Sequence, residues 1–400
     1  MLTVILIALG VTGCSKKEMI NTGTTREENQ LPIQNQIQNG KNSNKDSIPN
    51  TERKPNSKGK TTTTGSKNDQ NKNSAPSGRI SIFSNIDGVY ALGTGNTEDK
   101  DLNSDAILNN PNIDGLSIRL HWDQIEPSEG NYDWSVFDDL IAKAKAAGKK
   151  AMLRVTAGAY TPGWVYAAGA QKVTATDQNS YHSTYGQQMT MPVPWDNVYL
   201  QKWTEFIKAF GERYRNDSSV VAIQMTGPSD AAEMYLGGAG VDNNKTLWSS
   251  YGWSPDKLVN AWKETIDAYA AAFPGKQLII DISNPVTFDN PQQMVSDILS
   301  YGYQKLGAGF SVQGNWLAAK TNPSFSLYQM VESYSSKTTV GFQMLWFVTN
   351  DPSNRMGGTL RQAIDKGLQA GAKYMEIYSR DLNNSSLAGD IEYAHEQLDK

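Results

Sequence analysis

The chain has 400 residues, 37 Lys and Arg against 41 Asp and Glu, and a formal net charge of -4. No Phe, Trp or Tyr precedes Phe83, so the aromatic content sits in an acidic body, which lacks the basic face that phosphate backbones require. One Cys and three His, at positions 121, 182 and 395, argue against a disulfide framework and against a Cys- or His-built metal centre.

Residues 1–8 form an apolar run, followed by Leu9-Gly10-Val11-Thr12-Gly13-Cys14. The run is shorter than the roughly 20 residues that span a bilayer and reads as the hydrophobic region of a secretory leader. The single Cys after small residues resembles the lipobox of bacterial lipoproteins. That resemblance implies cleavage after residue 13, lipidation of Cys14 and an extracytoplasmic protein anchored to the cell membrane or outer membrane. Residues 14–78 follow as a tether of Asn, Lys, Ser, Thr and Gln, with 11 basic and 6 acidic side chains in 15–78. Such a segment cannot bury enough apolar surface to offset its chain entropy, so it reads as a spacer.

Residues 79–400 alternate strand-like and helix-like patterns. Apolar runs at 88–92, 115–120, 151–155, 220–225, 278–282, 309–312, 340–345 and 374–378 predict eight strands. Helical stripes separate them. Trp203, Phe206, Ile207 and Phe210 repeat at i, i+3, i+4 and i+7, and Trp134 and Trp262 belong to similar faces, which marks these indoles as core. Eight βα units predict an α/β fold, a (β/α)8 TIM barrel. An open doubly wound sheet is the rival, but no Gly-rich phosphate loop follows the first strand. Residues 169–194 read as a long loop after the third strand that forms one wall of a cleft.

Barrel enzymes build their sites at the C-terminal strand ends. Those ends carry Arg119, His121 and Trp122; Arg154 and Tyr160; Asp230 and Glu233; Asp281; Gln313, Asn315 and Trp316; Gln343 and Trp346; Glu376 and Tyr378. Carboxylates, amides, guanidinium groups and indoles in one mouth suit an oligo- or polysaccharide, whose C–H faces stack on rings while its hydroxyls take hydrogen bonds. No metal or organic cofactor is implied.

The stretch Trp122-Asp123-Gln124-Ile125-Glu126-Pro127-Ser128-Glu129-Gly130-Asn131-Tyr132-Asp133-Trp134, with Thr161-Pro162-Gly163-Trp164 beyond it, resembles the β-galactosidase-type glycoside hydrolases of family 42 and their relatives. The likeness runs over about 115–166. It implies hydrolysis of a β-linked saccharide by two Glu, an acid/base in an Asn-Glu pair after strand four and a nucleophile after strand seven. This chain departs at both places. The fourth exit offers Asp230 and Glu233 instead, and the seventh strand carries Gln343. Glu376, one strand further on, is the remaining candidate, and a slip of one strand in the assignment would make it the nucleophile. The catalytic set is therefore Glu233, Glu376 and Asp230, and the alternative is a catalytically silent carbohydrate-binding lipoprotein. Glu126 reads as a structural group that pairs with an Arg or caps backbone N–H groups, and Glu376 as a buried carboxylate in need of a partner, Arg119 or Arg154.

Overall fold

The computed structural model describes residues 86–93, 101–176, 185–237 and 244–398. The lipobox-like segment with Cys14, the tether, and Tyr181 and His182 of the 169–194 insertion lie outside them.

Eight parallel strands close into a barrel: β1 (Gly88–Leu92), β2 (Gly115–His121), β3 (Lys150–Thr156), β6 (Val220–Met225), β7 (Gln277–Ile282), β8 (Phe310–Leu317), β9 (Thr339–Met344) and β10 (Tyr374–Tyr378). The ring closes where β10 pairs with β1. The (β/α)8 architecture is thus the one the alternating pattern predicts. Glu376 lies on the eighth barrel strand and Gln343 on the seventh, which removes the one-strand slip.

Helices cover the outside. Ser135–Ala146, Asn197–Tyr214, Pro255–Ala272, Pro291–Leu306, Ser326–Tyr334 and Leu360–Gln369 each precede the next barrel strand, and Ala388–Leu398 packs back on β1. Local chemistry sets their starts. The Asp196 carboxylate accepts from Tyr199 N at 3.0 Å, Ser254 caps a helix with Pro255 at its first position, and Thr359 and Gln362 form a capping box. Trp203 and Trp262 are fully buried against the strands, as their spacing predicts. His395 Nδ1 lies 3.0 Å from Asp114 Oδ2, an atom that also accepts from Val89 N at 2.7 Å. One carboxylate oxygen therefore ties the last helix to the first strand.

Two sequence expectations are corrected. Residues 169–194 are not a plain loop: β4 (Lys172–Thr176) pairs antiparallel with β5 (Gln188–Pro192), and β5 rests on the turn Gly158–Tyr160. The sixth barrel strand is longer than the run at 309–312 and reaches Leu317. Its inward positions are polar, so hydropathy hides its second half. Period-two alternation then separates neighbours. Gln313 and Asn315 face inward, whereas Trp316 packs against Phe325, Tyr328 and Phe342 in the outer core.

The barrel interior is layered. The lower layer is apolar, with Tyr90, Met152, Ala222, Ile279 and Tyr374. Gly115 and Gly341 leave the space for two rings: a Cβ would lie 2.4 Å from the Tyr90 ring at the first and 2.3 Å from the Tyr374 ring at the second. One step higher the layer turns polar, with Ser117, Arg154, Gln224, Asp281, Gln313, Gln343 and Glu376, all buried. Branched aliphatic side chains ordinarily fill such layers. Polar groups there are costly unless they bond one another.

The loops above are braced. Gly158 has φ +61°, and a Cβ on it would lie 2.0 Å from the Asp230 carbonyl oxygen, which accepts from Ala159 N at 2.6 Å. The exit of β3 thereby clamps the exit of β6. Gly158→Ala should cost about 1–3 kcal/mol by combining the left-handed penalty with this clash. A urea midpoint equal to wild type would show that the two exits are not locked together.

Candidate functional site

The polar layer is one hydrogen-bonded network drawn from seven strands. Glu376 is 0% exposed. Ser117 Oγ donates to its Oε1 at 2.7 Å, Gln224 Nε2 donates to the same oxygen, and Gln313 Nε2 donates to Oε2 at 3.1 Å. The guanidinium partner expected for Glu376 bonds another carboxylate: Arg154 Nη1 meets Asp281 Oδ2 at 3.0 Å, and its Nη2 donates to Gln343 Oε1 at 3.2 Å. Gln343 Nε2 in turn lies 3.4 Å from the Tyr378 hydroxyl.

Asn315 links this layer to the mouth. Its Nδ2 donates to Asp281 Oδ2 at 3.1 Å and to Glu233 Oε1 at 3.2 Å, and its Oδ1 accepts from Gln313 Nε2 at 2.8 Å. Two carboxylates share one amide nitrogen, so their oxygens lie within two hydrogen-bond lengths of each other. Burial pushes the Asp281 carboxyl up to about 7. Arg154 and the Asn315 hydrogen bond pull it down, while Glu376 and Glu233 add like-charge pressure upward.

Glu233 lies in the segment that crosses the exits of β6 and β7. This segment is tied down by backbone bonds from Asp230 N to Tyr235 O at 2.8 Å, Met234 N to Asp281 O at 3.2 Å and Leu236 N to Pro285 O at 3.0 Å. Beneath it the Tyr199 hydroxyl donates to Gly227 O at 2.6 Å and Trp203 Nε1 to Thr226 O at 3.0 Å, so the helix Asn197–Tyr214 supports the turn. Among the three acidic candidates Glu233 is half-buried, whereas Asp230 and Glu376 are fully buried. Asp230 therefore does not present its carboxylate to solvent.

Other predicted residues separate cleanly. His121 and Tyr160 stack with ring centroids 3.6 Å apart and both are buried. Arg119 Nη2 donates to Gly93 O at 3.0 Å at the exit of β1. Trp346 is half-buried, stacks on Phe347 at 4.4 Å and carries the Arg355 guanidinium 4.2 Å above its ring. Arg380 lies over Phe347 at 4.2 Å, and Asp381 accepts from Val348 N and Thr349 N, both at 2.8 Å, which fixes the loop after β9. Two aromatic assignments fail. Trp316 faces the outer helices, and Trp122 is fully buried among Trp164, Tyr199, Trp203 and Phe206. Both lie in the apolar layer between strands and helices, where a large ring gains most from burial.

Glu126 has the structural role expected and caps a backbone N–H group. Its Oε2 accepts from Trp122 Nε1 and its Oε1 from Gly130 N, both at 2.8 Å. Burial raises its carboxyl above the ordinary range against the pull of these bonds. Among the described residues no group of three or more His, Cys, Asp and Glu could hold a metal ion, and no helix is long and apolar enough to cross a membrane.

Comparison with known proteins shows what the barrel is similar to. Residues 105–267 match the family model of glycoside hydrolase family 42, described as Beta-galactosidase. Over these residues, less than half of the chain, the barrel is similar to that family. The matched stretch holds β2, β3 and β6 with the Glu126 turn and the Glu233 loop. Asp281, Asn315, Gln343 and Glu376 lie beyond it. Among solved structures, the barrel resembles the catalytic domain of a β-amylase from Paenibacillus polymyxa, with 13% identity, a TM-score of 0.53, and coverage of 78% of this chain and 98% of that one. It also resembles a cold-adapted β-galactosidase from Rahnella sp. R3, with 12% identity, a TM-score of 0.51 and coverage of 80% of this chain. The match spans 57% of the Rahnella chain. At these identities the likeness is one of fold. No curated protein sequence matches the chain.

Proposed function

We propose that this chain is a cell-surface lipoprotein that hydrolyses β-linked saccharides, β-galactosidase-like in class, with Glu233 as the proton donor to the glycosidic oxygen. The observation that carries the reading is the Asn315 bridge. It joins a half-buried carboxylate at the mouth to the buried Asp281 directly and to the buried Glu376 through Gln313. Hydrolysis develops positive charge on the sugar ring as the bond breaks, and carboxylates beneath the ring stabilise that state once they are ionised. His121, Tyr160, Trp346 and Tyr378 supply rings and hydroxyl contacts for the saccharide, and Arg119, Arg154, Gln313 and Gln343 hold the polar floor.

The test is a panel of aryl β-glycosides, galactosides included, with the purified protein. Release of the aryl group supports hydrolysis; no turnover across the panel, with saccharide binding detected by calorimetry, replaces it with the second reading. That reading, a silent carbohydrate-binding lipoprotein, is favoured by two observations. Gln343 stands on the seventh strand, bonded by Arg154, and the exit of β6 runs through Gly227-Pro228 rather than an Asn-Glu pair. An amide cannot act as a carboxylate nucleophile.

In either reading Cys14 carries the acyl chains, whose combination holds a protein stably at a membrane. Metabolic labelling with an alkynyl fatty acid should tag the wild type and not Cys14→Ser. Equal labelling of the two would remove the anchor from the proposal.

A further inference from the structure

We propose that Asn315 is a positioning residue, which aims Glu233 over the barrel and couples the charge of Glu233 to that of Asp281. The inference rests on the hydrolase reading for its kinetic part alone. Its amide is oriented from both ends. The carbonyl accepts from Gln313 Nε2 at 2.8 Å, and Gln313 Nε2 also donates to Glu376 Oε2 at 3.1 Å. With Oδ1 so committed, the amide nitrogen points at two carboxylates, Asp281 Oδ2 and Glu233 Oε1. A flipped amide would bring an acceptor against two acceptors and a donor against a donor, so this orientation is fixed by the network. The donor comes from β8, the two acids from β7 and from the segment after β6. The sequence separation from Asn315 to Glu233 is 82 residues.

The consequence is that Glu233 and Asp281 do not titrate independently. Arg154 from β3, Glu376 and Tyr374 from β10, and Glu233 itself all face Asp281. Adding negative charge at Glu233 raises the proton affinity of Asp281, and the shared N–H donors relieve it. A hydrogen-bonded acid that is held in place also loses less in reaching the reacting geometry.

The pH dependence of folding gives a readout free of substrate. An unfolded Asp releases its proton near 4, whereas Asp281 in the fold holds it to about 7. Between those values the unfolded chain binds fewer protons, so stability falls as pH rises from about 4 to about 7. Asp281→Asn should flatten that slope. Asn315→Ala removes a donor that favours the charged form, so the decline should extend above pH 7. Asn315→Ser, which keeps a shorter hydroxyl donor, should lie between wild type and Asn315→Ala. In the hydrolytic assay Asn315→Ala should lower kcat by about 10-fold or more with KM moved less than about threefold.

Thermal midpoints of the three variants and wild type across pH 4–8 decide the coupling. An Asn315→Ala slope that coincides with wild type overturns the proposal, whatever the kinetics. A shifted slope in a protein that hydrolyses no glycoside sinks the hydrolase reading and leaves the coupling standing. An unchanged kcat in Asn315→Ala, in a protein that does hydrolyse, overturns the positioning role.

Discussion

Glu233→Gln should lower hydrolysis of an aryl β-glycoside by about 100-fold or more, the scale of losing a general acid, while the unfolding midpoint stays near wild type. The side chain is half-buried and keeps an acceptor oxygen toward Asn315 as an amide, so the fold loses little. The effect should fall on kcat rather than KM, because proton donation acts in the transition state. Glu376→Gln is the informative companion. Glu376 accepts from three neutral donors, Ser117, Gln224 and Gln313, and an amide there sets a donor against at least one of them. It should cost both activity and stability, where Glu233→Gln costs activity alone. If both variants retain full activity, bond cleavage is not the work of these acids.

The second large effect concerns stability. Arg154 and Asp281 are 1% and 0% exposed and meet at 3.0 Å. Arg154→Ala removes the cation and leaves Asp281 and the Gln343 carbonyl without it. Breaking one side of a buried pair costs about 3–5 kcal/mol, because the carboxyl left behind must either stay charged out of water or take up a proton. Replacing both partners, as Arg154→Met with Asp281→Leu, should recover most of that loss, since the desolvation of two ions disappears with them. Urea denaturation of the single and double variants measures the difference. A single variant within about 1 kcal/mol of wild type would show that water or the neighbouring amides already neutralise the site.

The double variant should remain inactive whether or not stability returns. Its polar floor, unlike an apolar barrel layer, is where the chain places Ser117, three Gln, an Arg and two acids at strand positions that burial alone would fill with Val, Ile or Leu. So many polar groups at a cost in desolvation are the reason the proposed site is placed on this layer.

Local sequence determines the elements of this protein. The eight strand positions follow from short apolar runs, and the helices from stripes such as Trp203 to Phe210 and from caps such as Asp196, Ser254 and Thr359, because each signal depends on neighbours within a turn or two of chain. The Trp122–Trp134 stretch likewise carries the glycosidase likeness. Its Glu126 reads as structural because the groups it caps, Trp122 and Gly130, are four residues away on either side. Tertiary structure alone decides which candidates meet. Ring closure brings Ser117 to Glu376 across 259 residues and Arg154 to Asp281 across 127. Asp281 reads locally as one acid inside an apolar strand. Trp122 reads as a mouth residue because it follows a strand end, yet its ring turns outward into a cluster that forms only when the helix Asn197–Tyr214 docks. A side chain's period gives its face, but its partners come from the seven other strands, and no local pattern encodes their register.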